Sequence, residues 1–149
     1  LRDIQECDRP NVYDLLTDPS VMRFIGPRRA LSIDEAKEWF DLEIKNPSRY
    51  VIATKESDEL IGFCGIKEIS GVHDFGYFLR KTYWGNGYAT EACKLALREL
   101  SSKIDITTIE IFIASDNLAS QAVANKLNWS QIKETTRDKE VGHLYAVCM

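Results

Sequence analysis

Metal-binding chemistry finds little to use in this sequence, which has only two histidines and four cysteines. Cys7, Cys64, Cys93 and Cys148 show no C-x-x-C spacing. Thiols scattered in this way read as reduced cysteines of a cytosolic protein, so cytoplasmic localisation is the expectation. Basic charge is not in excess either. With a formal net charge of −4, nothing favours general attraction to nucleic acid or an anionic membrane, while a cationic substrate is mildly suited. No apolar run approaches the roughly 20 residues of a membrane span, and the start at Leu1-Arg2-Asp3 has no signal-peptide h-region. The chain opens without an initiator Met, in what reads as a strand, so a few residues are expected to precede Leu1. Repeats, low-complexity tracts and linker-like stretches are also missing, so residues 1–149 read as a single domain. A 44% hydrophobic share against 28% charged residues suits one globular core, as monomer or homodimer.

What is present is an alternation of helices and strands. After a short strand near the start, Val12 to Leu16 reads as a brief helix stopped by Asp18-Pro19. Ser32-x-x-Glu35 has capping-box spacing, and Ile33, Ala36, Phe40 and Ile44 repeat on one face of the helix it opens, which Asn46-Pro47 ends. Three strands follow: Tyr50 to Thr54, Leu60 to Lys67 and His73 to Arg80. Their turns, at Ser57-Asp58 and Ser70-Gly71, are too short for parallel crossovers, so the three strands are antiparallel. Ala89, Ala92, Cys93, Ala96, Leu97 and Leu100 then take up a helical period. Ile109, Ile111 and Ile113 alternate as a strand, and a helix follows over 117–127. Two closing strands, Gln131 to Glu134 and His143 to Met149, complete an α/β (α+β) domain. Its sheet is mixed but mainly antiparallel, with about six to seven strands and about four flanking helices.

Tyr83-Trp84-Gly85-Asn86-Gly87-Tyr88-Ala89-Thr90-Glu91-Ala92 joins a strand end to the start of a strongly amphipathic helix. A helix N-terminus offers unpaired N–H groups and the positive end of the macrodipole, which together make an anion site. Gly85 and Gly87 allow a sharp turn and close approach of a diphosphate. A bare G-x-G could equally make only a tight turn. Two other phosphate motifs do not fit: Thr90 stands where a dinucleotide fingerprint needs its third glycine, and no G-K-[ST] is present for a P-loop.

This stretch resembles the coenzyme A loop of the GNAT N-acetyltransferase superfamily, [QR]-x-x-G-x-[GA], with Trp84, Gly87 and Ala89 in its first, fourth and sixth places. Trp84 departs from that pattern. Y-W-G-x-G-Y-A-T-E-A looks like the ribosomal-protein-alanine N-acetyltransferase branch, as do Asp18-Pro19-x-Val21, Phe75-Gly76-Tyr77 and Asn117-x-x-Ser120 with Lys126-Leu127. The resemblance implies a single-domain acyltransferase that moves the acetyl group of acetyl-CoA to a primary amine, on a protein N-terminus or a small molecule. The strand ending near Leu79 would splay from Thr108 to Ala114, and backbone groups of Phe78, Leu79 and Arg80 would meet the pantetheine arm. Trp84, Gly85, Asn86, Gly87, Tyr88, Ala89 and Thr90 would hold the diphosphate, with Asn117 and Ser120 on the other side.

Acyl transfer to an amine needs a neutral nucleophile, a stabilised oxyanion and a proton for the departing thiolate. By that resemblance Asp74, where relatives often carry Glu, is the first choice for base, with a solvated strand-end charge as the plain alternative and Glu68 as the other candidate. Ala124 stands where many relatives carry an acidic Tyr, so Ser120 is the candidate acid, or else a residue that only positions the arm. Tyr145 and His143 could face the acceptor or be ordinary strand residues, and Tyr77 and Trp129 read equally well as core aromatics. Arg28 and Arg29 could meet an acceptor carboxylate or form a solvated pair. The rival reading is a coenzyme A-binding regulatory or interaction module without turnover.

Overall fold

The computed structural model describes residues 1–148; Met149, expected at the end of the last strand, lies outside the described residues. Helices are α1 (Arg9–Leu16), α2 (Pro19–Met22), α3 (Ile33–Lys45), α4 (Tyr88–Ser101) and α5 (Leu118–Lys126). Strands are β1 (Tyr50–Ala53), β2 (Leu60–Ile69), β3 (Val72–Leu79), β4 (Ile109–Ala114), β5 (Ser130–Arg137) and β6 (Glu140–Ala146). They form one six-stranded sheet in the order β1-β2-β3-β4-β6-β5. Every neighbouring pair is antiparallel except β3 and β4.

Two expectations are corrected at the N-terminus. The first residues do not form a strand: Arg2 makes a single isolated bridge to Val51, and a 3₁₀ turn over Glu6–Asp8 follows at once. Asp18-Pro19 ends one helix and also begins another. The Asp18 carboxylate accepts the Ser20 N–H at 2.8 Å, Pro19 takes the first helical position where it lacks only an orphan donor, and α2 results. This makes five α-helices among the described residues.

In α3 the capping box forms in both directions, Glu35 N–H to Ser32 Oγ and Ser32 N–H to the Glu35 carboxylate. Of the stripe read from sequence, Ala36 and Phe40 are buried and Ile44 packs against the core, while Ile33, in the first turn, is half exposed; Glu43 joins the buried face, its carboxylate turned inward to accept the Ser48 N–H and hydroxyl. Two apolar layers flank the sheet. On one face Val12, Leu15, Phe40, Phe63 and Phe78 pack α1 and α3 against β1–β3; on the other, Ala92, Cys93, Leu97, Ile111, Ile113 and Tyr145 pack α4 and α5. Along β3 the side chains alternate between these layers, so Phe78 faces the first while Phe75, Tyr77 and Leu79 face the second. No described helix is long and apolar enough to cross a membrane.

Candidate active site

The one parallel pairing in the sheet makes the cleft. β3 and β4 are in register only at His73–Ile109 and Asp74–Glu110, and beyond those pairs the strands part. The Arg80 N–H donates to the Ile61 carbonyl of β2 at 2.7 Å, so ladder alternation turns the groups of Leu79 to the opposite edge. There the Leu79 carbonyl accepts Trp84 Nε1–H at 2.9 Å. Trp84, the residue that departs from the family pattern, thus ties the loop to the strand end. A cavity of about 840 Å³ lies along this split.

One wall is the loop and the start of α4: Trp84, Gly85, Gly87, Tyr88, Ala89 and Thr90. Gly85 and Gly87 sit at φ +79° and +80°, in the left-handed region that favours glycine. Nothing lies within 4 Å of a Cβ built on either, so the backbone is open to a ligand. Ser32 caps α3 and Asn117 caps α5, but no side chain caps α4. Its first-turn N–H groups are therefore left for an anion, with the positive end of the helix dipole behind them. Lys126 also lines the cavity and adds positive charge, while Arg23, likewise in the lining, is paired with Glu140 at 2.8 Å. This cradle fits a diphosphate.

Asn86 and Arg80 do not line the cavity. The Asn86 amide donates to the carbonyls of Tyr83 and Trp84, both at 3.3 Å, and so shapes the loop from outside. The Arg80 guanidinium turns away to Asp14 and Glu59, each at 3.0 Å. Phe78 and Leu79 also line the cavity, and Pro19, Val21, Phe24 and Ile25, from α2 and the residues after it, close another side.

The far wall is the start of α5. Asn117 Oδ1 accepts the Ser120 N–H at 3.2 Å, and Ser120 Oγ accepts the Tyr77 hydroxyl at 2.9 Å. Burial pushes the Tyr77 phenol far above its ordinary pKa, so it stays protonated and remains the donor. Tyr77 and Ser120 both line the cavity. Tyr77, which the sequence left open as a core aromatic, packs against the core and also lines the cavity, which local pattern did not show.

Asp74 lies elsewhere. Its carboxylate accepts from Arg137 Nη1 at 2.9 Å and Arg49 Nη2 at 3.1 Å, on the face of β3 opposite to Tyr77, and it does not line the cavity. The structure therefore does not bring Asp74 and Ser120 together. Both of its oxygens are thus engaged by guanidinium groups, away from the cavity. Among the described residues the carboxylate lining the cavity is Asp116, in the turn before α5. Glu68 and Glu91 are exposed and outside the lining. Tyr145 is a core residue whose hydroxyl accepts from Gln131, His143 is half-buried on β6, and neither lines the cavity. Arg29 is held by Glu35 through two bonds of 2.8 and 2.7 Å.

Comparison with known proteins agrees with this architecture. The profile of the acetyltransferase (GNAT) domain family matches residues 1–130. An uncharacterized N-acetyltransferase, p20, of Bacillus licheniformis is 26% identical over 139 residues, 88% of this chain and 78% of that protein. The spermidine N(1)-acetyltransferase of Escherichia coli K12 is 25% identical over 133 residues, 87% of this chain and 72% of its own. The crystal structure of a GNAT-family acetyltransferase from Bacillus anthracis superposes with a TM-score of 0.78 at 18% identity, covering 97% of this chain and 89% of that one. With its cavity along the β3–β4 split and an uncapped α4 at that cavity's wall, the chain belongs to the GNAT family of acetyltransferases, enzymes that take acetyl-CoA as cosubstrate.

Proposed function

We propose that this protein transfers the acetyl group of acetyl-CoA directly to a primary amine, on a protein N-terminus or a small molecule. The observation that carries this reading is one cavity with the uncapped N-terminus of α4 on one wall and the Ser120 hydroxyl on the other. Acetyl-CoA supplies an activated thioester. The chain's part is to hold and orient it and to manage protons. N–H groups of Gly85 to Thr90 bind the diphosphate, and backbone groups on the free edge of β3 near Leu79 align the arm and polarise the carbonyl. Ser120 supplies a proton to the sulfur that leaves. The acceptor enters between Phe78 and the segment Val21 to Ile25. Asp74 enters this reading as the anchor of Arg49 and Arg137, and Asp116 is the carboxylate placed to order water near the amine.

The acceptor is open within the class of primary amines. Resemblance of the loop to ribosomal-protein-alanine N-acetyltransferases supports a protein α-amine; the spermidine-acetylating relative supports a small polyamine. Thiol release from acetyl-CoA, measured across polyamines, amino acids and N-terminal peptides, tests the proposal. Acetylation of at least one amine is expected. Thermal stabilisation by acetyl-CoA without release on any of them would leave a coenzyme A-binding module in its place.

A further inference from the structure

We infer that Tyr77 is a positioning residue for the transfer step, directing the proton of Ser120 into the cavity through the hydrogen bond it donates to Ser120 Oγ. This rests on the reading of Ser120 as the group that protonates the leaving sulfur. The argument starts from the capacity of a serine hydroxyl, which has one hydrogen to give and two lone pairs to fill. A serine hydroxyl on a helix can spend its hydrogen on a backbone carbonyl three or four residues earlier. Ser120 does not: among the described residues the partner of its Oγ is Tyr77, at 2.9 Å, and there Ser120 is the acceptor. With one lone pair so filled, the hydroxyl hydrogen and the second lone pair are left for the cavity that both residues line.

That arrangement suits the proton balance of the reaction. When the amine nitrogen bonds to the acetyl carbon and the carbon–sulfur bond breaks, the electron pair of that bond goes to sulfur. The nitrogen must lose one proton and the sulfur gain one. Ser120 gives its hydrogen to sulfur and receives the nitrogen's proton on its second lone pair, so it ends the step as the hydroxyl it was. Tyr77 keeps its own proton throughout, because a phenolate in this buried place is strongly disfavoured. Its contribution is therefore direction. The family's usual tyrosine position is Ala124, which is fully buried and carries no hydroxyl; Tyr77 reaches Ser120 from the sheet instead of from the helix.

Steady-state kinetics and melting temperatures of Tyr77→Phe, Ser120→Ala and the double variant test this inference. Tyr77→Phe keeps the ring and removes the donor. Loss of one such hydrogen bond corresponds to about a ten-fold fall in kcat, with the KM for acetyl-CoA and the melting temperature little changed. Ser120→Ala should cost about a hundred-fold, and adding Tyr77→Phe to it should cost nothing more. A multiplied loss in the double variant, or a raised KM in Tyr77→Phe with kcat intact, would overturn the inference in favour of a packing role. Full kcat in Tyr77→Phe with Ser120→Ala impaired would overturn it while leaving Ser120 in place. Full kcat in Ser120→Ala would remove both.

Discussion

Placing a carboxylate at Gly87 separates charge from shape at the proposed diphosphate site. Gly87 is the N-cap of α4 at φ +80°, and a Cβ there meets nothing within 4 Å. Gly87→Asp therefore introduces no clash. The left-handed backbone costs an ordinary side chain about 1–2 kcal/mol. Asp offsets part of this, because it tolerates that region and as a helix cap gains a few tenths of a kcal/mol over glycine. The net change is small, and 1 kcal/mol moves the melting temperature of a chain this size by roughly 3 °C. Binding responds differently. A unit charge about 5 Å from a phosphate charge, at an effective dielectric near 20, is repelled by about 3 kcal/mol. After screening by salt the loss is about a hundred-fold in affinity. Calorimetric titration with coenzyme A should show this loss, and raising the salt should reduce it. Gly87→Asn, of equal shape and without charge, should bind within a few-fold of the parent. Unchanged affinity in Gly87→Asp would refute the anion cradle, and an equal loss in Gly87→Asn would show that shape, not charge, was responsible.

Other expectations follow from the same contacts. Trp84→Phe removes the bond from Trp84 Nε1–H to the Leu79 carbonyl, worth about 1 kcal/mol, and should weaken acetyl-CoA binding by about five-fold through the loosened loop; equal affinity would show that the tether is dispensable. Asp74→Asn leaves Arg49, four-fifths buried, without its charged partner, and should lower stability by about 3 kcal/mol in denaturant unfolding. Its kcat at neutral pH should fall less than ten-fold, and a hundred-fold fall in a well-folded variant would make Asp74 the proton acceptor after all. Bonds from Arg29 and Ser32 hold the Glu35 carboxyl down to about 2, below its unfolded value of about 4.3. A depressed pKa stabilises the fold above the unfolded value, and that stabilisation is lost as pH falls through about 2. Glu35→Gln should therefore flatten the acid limb of the stability profile between about pH 4 and 2, and an unaltered limb would assign it to other carboxylates.

Short-range rules were sufficient for much of this fold. The capping box at Ser32, the helical period from Ala89 to Leu100, the meander from Tyr50 to Arg80 and the glycines before α4 each depend on neighbours within a few positions. Asn128 shows the same: it takes φ +58° just after α5, in the left-handed region that asparagine tolerates. Where one local signal had two uses, the reading fell short. Asp18-Pro19 reads as a stop and is also a start, and the helical stripe that includes Ile33 gives no sign of Glu43 turning inward to Ser48.

The chemistry was decided by partners distant in sequence. Tyr77 and Ser120 are 43 positions apart, and their bond exists only because β3 and α5 face each other across the split. Asp74 is 25 positions from Arg49 and 63 from Arg137, so no spacing along the chain could show that two guanidiniums occupy it. The sequence alone determined where backbone N–H groups would await an anion, because that follows from a helix start and two glycines. Only the tertiary structure decided which side chains reach the same cavity, because a hydrogen bond or an ion pair depends on distance in space, which packing of the two faces of the sheet sets.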